Sequence, residues 1–103
     1  DLVFDVRFLP NPNFVPKLKN KTGNHPTVVT YLQSFNQTHQ FLSRLEDLIF
    51  FLVPNYIIEG KSYLTISIGC TGGQHRSVMI ANRMSILLAS NGFTAKVLHR
   101  DLS

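Results

Sequence analysis

Only one cysteine, Cys70, occurs in the 103 residues. A lone cysteine cannot close an internal disulfide, so the chain suits a reducing compartment, and a cytoplasmic location is expected. No Cys/His grouping has zinc-ligand spacing, so no metal site is expected. Long apolar runs are missing as well. The densest stretch, residues 48–53 (Leu-Ile-Phe-Phe-Leu-Val), is too short to cross a bilayer, and no signal-peptide pattern is found. A Gly-x4-Gly-Lys-Ser/Thr sequence is absent, which argues against ATP or GTP hydrolysis by that mechanism within these residues. No RNP-type aromatic motif points to sequence-specific RNA readout. Internal repeats and low-complexity linkers are also absent.

What is present suits one globular domain spanning residues 1–103. Hydrophobic residues make up 44% of the chain, enough for a core, which excludes disorder. Ten basic and six acidic residues leave a net charge of +4. Such a balance fits an anionic partner: RNA, a phosphorylated small molecule or an acidic protein. The chain opens at Asp1, already inside a strand-like pattern, and is expected to be a fragment of a longer protein.

Periodicity outlines an α/β order. Residues 2–9 alternate as a strand, with Leu2, Phe4, Val6 and Phe8 on one face and Asp5 and Arg7 on the other. Pro10-Asn11-Pro12-Asn13 breaks it, and residues 14–26 read as a long surface loop. A short helix is expected over 27–34 and a longer one over about 38–53. The longer one has Phe41, Leu42, Leu45, Leu48, Ile49, Leu52 and Val53 on a wide apolar face. Pro54 should bend or end it, and Gly60 should close the segment. A β-branched strand follows over 63–69. A helix over about 76–90 turns Ile80, Met84, Leu87 and Leu88 inward, Asn91-Gly92 stops it, and a last strand covers 94–100. These elements predict a small α/β domain of two or three layers with a mostly parallel sheet, the segment 63–100 forming a right-handed crossover.

The run Gly69-Cys70-Thr71-Gly72-Gly73-Gln74-His75-Arg76-Ser77 falls between a strand and a helix. Ligands of open α/β sheets gather at the carboxyl ends of strands. Glycines let backbone N–H groups point inward, and the helix adds the positive end of its dipole. Arg76 has the fork geometry to grip two phosphate oxygens, with Thr71 and Ser77 as hydroxyl donors. Cys70, Gln74 and His75 complete the candidate loop. Cys70-x5-Arg76 followed by Ser77 also matches the loop of cysteine-dependent phosphatases, which gives an enzymatic alternative with Cys70 as nucleophile. Asp5 and Asp101 are the only acids near predicted strand ends, and neither is placed as a leaving-group acid.

Other candidates flank this loop. Asp5 and Arg7 either pair with each other or meet a ligand's hydroxyls, amine or anion, with Asn11 and Asn13 beyond them. His99 is either an ordinary exposed residue or a neighbour of the loop. His25 and His39 suit surface or capping positions. Lys17, Lys19, Lys21, Arg44, Lys61, Lys96 and Arg100 are candidate RNA-phosphate contacts, or plain solubility charges.

Three further stretches join the loop in a family pattern: residues 4–12 (Phe-Asp-Val-Arg-Phe-Leu-Pro-Asn-Pro), residues 62–65 (Ser-Tyr-Leu-Thr) and residues 99–102 (His-Arg-Asp-Leu). With residues 69–77, they resemble the C-terminal domain of the RapZ/YvcJ family across essentially the whole chain. The resemblance implies an N-terminal P-loop domain binding ATP or GTP, outside these residues. It implies a C-terminal domain that is not itself an enzyme. That domain binds small regulatory RNA, presents it to an endoribonuclease as an RNase adapter, and senses glucosamine-6-phosphate. It further implies likeness to part of the phosphofructokinase fold, self-association, and no cofactor in this domain. Carried over by position, Thr71, Gly72, Gly73 and Arg76 would meet the phosphate, and Asp5 the sugar amine or hydroxyls. This chain departs from the pattern at Asn13, where members often carry His. Members also extend past the last strand with a basic tail.

Overall fold

The computed structural model describes residues 2–61, 63–93 and 95–102. Three strands, β1 (Leu2–Asp5), β2 (Thr65–Cys70) and β3 (Lys96–Asp101), form one parallel sheet in the order β1-β2-β3. Three helices, α1 (Pro26–Gln33), α2 (Asn36–Glu59) and α3 (Arg76–Ser90), supply the crossovers. The expected small α/β domain with a parallel sheet is what the chain forms. Burial is one-sided. Ile66, Ile68 and Cys70 are fully buried, and Leu2, Phe4 and Val97 pack against the same core. On the opposite face Val3 is 64% exposed and Leu98 40%. One helical layer therefore covers one face of the sheet.

Several boundaries differ from the sequence expectation. β1 stops at Asp5 rather than running to Leu9, because the chain turns: Leu9 N–H donates to Val6 O at 3.2 Å. Val6 and Leu9 are buried, while Phe8 leaves the expected inner face and packs edge-on against Phe41 at a centroid distance of 5.2 Å. The segment after it is not only surface. A 3-10 turn forms at Pro12–Phe14, and Leu18 and Gly23 are buried.

α2 runs six residues past the expected end, straight through Pro54. The Asn55 side-chain amide supports that turn by donating to Phe51 O at 2.7 Å. Gly60, at φ 97°, ends the helix instead. Its own N–H reaches Ile57 O and that of Lys61 reaches Tyr56 O, a left-handed cap. α3 keeps its expected limits, with Ile80, Met84 and Leu88 buried. β2 and β3 are each shifted toward the carboxyl side of the expected spans; Thr94, the first residue of the second span, and Ser62, from the family stretch 62–65, lie outside the described residues. Among the described residues, no helix is long and apolar enough to cross a membrane.

Candidate functional site

Parallel strands deliver their carboxyl ends to one edge of the sheet. Register places Asp5 beside Gly69 and Gly69 beside Arg100, while Cys70 faces Asp101. The loop after β2 therefore sits between the turn that follows β1 and the end of β3, where ligands of open α/β sheets bind. Gly72 (φ 81°) and Gly73 (φ 61°) take left-handed conformations that a side chain would strain. A Cβ at Gly73 would lie 2.8 Å from Asp101 N, so the loop rests directly on the β3 backbone. Gly72 N–H donates to Asp101 Oδ1 at 2.9 Å. On the other flank, Gly23 N–H donates to Gln74 O at 2.9 Å, and the Gln74 amide nitrogen sits 3.4 Å from the carbonyls of Lys19 and Lys21.

A cavity of about 160 Å³ opens between Asn11, Asn13, Thr71, Gly72, Gln74 and His75. Helix α3 starts beside it without a side-chain cap and without an acidic residue in its first turn. Its first turn thus supplies no carboxylate of its own to offset the positive dipole end. His75 is buried, and its Nε2 has no hydrogen-bond partner. A buried nitrogen left unpaired is costly, and a ligand oxygen or hydroxyl would relieve that cost.

Arg76 does not extend toward this cavity as a phosphate fork. Its Nη1 donates to Arg7 O at 2.6 Å and to Leu9 O at 3.1 Å, tying the turn after β1 to the start of α3. The guanidinium is buried, and its Nε has no partner. Asp5 and Arg7 pair with each other: Arg7 Nη2 lies 2.6 Å from Asp5 Oδ2, Arg7 Nε 3.0 Å from both oxygens, and Arg7 N–H donates to Oδ1 at 2.9 Å. These bonds hold the Asp5 carboxyl down to about 2, with Arg76 adding to the effect.

Cys70 lies beneath the loop with no exposed surface. Its Sγ receives the Ser77 N–H at 3.3 Å and sits 3.2 Å from Ser77 Oγ. Burial pushes the thiol up. The Ser77 hydroxyl and amide, the Arg76 charge and the Gly73 amide outweigh burial and bring it below its ordinary value.

The remaining candidates separate. His99 is exposed on β3, its Cα opposite that of Ile68. His25 caps α1 through Nδ1, which accepts from Thr27 N–H at 3.2 Å, and His39 contacts Gln33 O. The basic residues do not form one cluster. Lys17, Lys19 and Lys21 lie along the segment that braces Gln74, with Arg100 near the same edge. Lys61 and Lys96 sit by the start of β2, at the opposite end of the sheet. Among the described residues, no group of histidine, cysteine or carboxylate side chains is placed to hold a metal.

Two participants were missed from sequence. Asp101 anchors the loop, and its signal was its place at the end of a strand beside a glycine-rich turn. Gly23 was hidden inside a stretch read as plain loop. A Cβ there would meet His75 O at 2.3 Å and Met79 N at 2.6 Å, so this glycine lets the segment lie against the start of α3.

The profile of the RapZ C-terminal domain matches residues 1–103. The chain belongs to that family. Among its relatives, a nucleotide-binding protein of Solibacter usitatus is 64% identical over 99% of this chain and 32% of its own length. One from Koribacter versatilis is 59% identical over 98% of this chain and 33% of its own. One from Symbiobacterium thermophilum is 57% identical over 99% and 34%. The chain thus spans about a third of the length of these relatives of the RapZ C-terminal domain family.

Proposed function

We propose that this RapZ-type domain is a non-catalytic, cytoplasmic regulatory module that binds a phosphorylated amino sugar of the glucosamine-6-phosphate type at the 71–75 loop. It would present small regulatory RNA to an endoribonuclease through its basic surface. The observation that carries the reading is the cavity at the uncapped start of α3, where buried His75 has an unpaired nitrogen. The phosphate would take the loop amides, Thr71 and the α3 terminus. Asn11, Asn13 and Gln74 would read sugar hydroxyls. The Asp5–Arg7 pair stands at the edge with charges for an amine and an anion. The relatives are named nucleotide-binding proteins; residues 1–103 contain no Walker-type sequence, and this reading places a sugar phosphate, not a nucleotide, at the 71–75 loop.

Calorimetric titration of glucosamine-6-phosphate, with Thr71→Ala and His75→Ala alongside, tests the reading. Saturable binding that weakens at least tenfold in His75→Ala, about 1.4 kcal/mol, supports it. No heat from the folded wild-type protein sinks it. Arg76→Ala is a poor diagnostic, since it also unties the β1 turn. RNA binding is read from its salt dependence, each neutralised phosphate adding about −0.7 to the slope on single strands. A phosphatase reading has one observation in its favour, the depressed Cys70 thiol. It requires phosphate release from an aryl phosphate that disappears in Cys70→Ser; the burial of Cys70 runs against it.

A further inference from the structure

Strand β3 leaves one of its two edges open. It pairs with β2 in unbroken register from Lys96 to Asp101, and the sheet of described strands ends there. Lys96 N–H donates to Leu64 O and Leu102 N–H to Cys70 O, both at 2.9 Å, so Lys96, Leu98 and Arg100 turn their backbone groups to β2. Val97 and His99 therefore each turn an N–H and a C=O to the open side. The 71–75 loop rests on Asp101 N, which leaves the open stretch centred on Leu98. β3 has neither a proline nor a bulge, two common guards of an edge strand. Its side chains alternate between the faces of the sheet. Leu98 aligns with Ser67, and Ser67 with Val3, so Lys96, Leu98 and Arg100 share the face that the helices leave bare. Neither Lys96 nor Arg100 forms an ion pair with a described residue.

We propose that the open edge of β3 takes up an extended acidic segment of a partner protein as a fourth strand. The backbone groups of Val97 and His99 supply the pairing, and the side chains supply the selection. Lys96 and Arg100 stand four residues, about 13 Å, apart on one face with Leu98 between them. They fit a strand in which two carboxylates flank an apolar residue at every second position, a pattern that reads the same in either direction. Opposite charges and apolar pairs across neighbouring strands stabilise a sheet. A second β3 does not meet this pattern. Antiparallel pairing about Leu98 sets Lys96 against Arg100 twice, and parallel pairing in register sets each against its like. Single-stranded RNA meets it less well than a peptide. RNA brings no backbone amide to extend the ladder, and β3 offers no Phe, Tyr or Trp on which a base would stack. The inference is independent of what the 71–75 loop binds.

The test uses the protein at its full length and a fluorescent peptide, Thr-Glu-Thr-Val-Thr-Glu-Thr, read by anisotropy. Saturable binding is expected, about tenfold tighter than for the same peptide with Lys in place of Glu. Lys96→Glu combined with Arg100→Glu should invert that preference, an outcome that misfolding does not produce. Two further peptides, N-methylated at one or the other set of alternate backbone nitrogens, separate strand pairing from plain charge attraction. One should bind about tenfold more weakly and the other within about threefold of the parent. Amide exchange at Val97 and His99 should slow when the parent peptide binds. Equal affinity of the two methylated peptides would overturn strand pairing. No peptide binding would overturn the proposal. Slow exchange at Val97 and His99 before any peptide is added would then assign the edge to another part of the polypeptide. Loss of oligouridylate binding in the charge-reversed variant would instead assign Lys96 and Arg100 to RNA.

Discussion

The sulfur of Cys70, the Ser77 hydroxyl and the Ser77 amide make a small buried polar knot under the loop. Removing the hydroxyl should let the thiol rise toward its ordinary range. In Ser77→Ala, the thiolate ultraviolet transition, corrected with Cys70→Ser, is expected at higher pH than in the wild type. The sign follows from linkage. A thiol held low in the folded state contributes stability above the unfolded value of about 8.5 and loses it as pH falls through the folded value. Ser77→Ala should therefore gain less stability at alkaline pH than the wild type. Asp101 poses a different question, since its carboxylate already occupies the Gly72 N–H. Asp101→Asn keeps an acceptor for that amide and removes a negative charge beside the cavity. Phosphate affinity should rise about threefold or more, the effect of a unit charge a few ångströms away in a solvated setting. An unchanged or weaker affinity in Asp101→Asn would show that the carboxylate does not oppose the ligand.

At the level of elements, α3 and the glycine-rich loop were legible because local rules and tertiary demands agree there. A strand, two adjacent glycines, a helical repeat and an Asn-Gly stop all point the same way. β1 was overread because alternation continues through Phe8 although the chain has turned; the pattern does not know that Phe8 meets Phe41. α2 was cut short because Pro54 normally breaks a helix. Here Gly60 supplies the cap, and packing of Ile49 and Val53 carries the helix past the proline. The proline still lacks an N–H for the preceding turn. Pro54→Ala should stabilise the fold by about 1–3 kcal/mol in denaturant unfolding. The loop-anchoring segment was opaque for another reason: a glycine chosen for close approach leaves no periodic trace. Gly23→Ala should destabilise by about 1–3 kcal/mol by the same measurement and weaken phosphate binding, because the new methyl meets His75 O and Met79 N. Binding of wild-type strength in Gly23→Ala would show that this brace does not shape the loop. Site chemistry was only half visible. The loop residues could be named, but not that Arg76 would spend its Nη1 on carbonyls of Arg7 and Leu9.

Across the whole molecule, burial is uneven: β2 is central and paired on both sides, while β3 is an edge strand with most of its residues exposed. Native-state amide exchange should be slowest in β2 and the buried face of α3 and fastest along β3, apart from amides that a bound ligand orders. Equal protection of β2 and β3 would mean that a further layer covers the edge.

The parallel pairing of β1 with β2 joins residues more than sixty positions apart, Leu2 with Ile66. Closing so long a loop is entropically late in folding, so β1 is expected to dock after the α1–α2 hairpin has formed and β2 has found α3. Asn11 and Asn13 arrive only with that final docking, and they form one wall of the cavity. A chain caught before that step would have strands and helices but no receptor. Ligand added during refolding would therefore act as a late catch on the completed fold, slowing escape from it rather than speeding its formation.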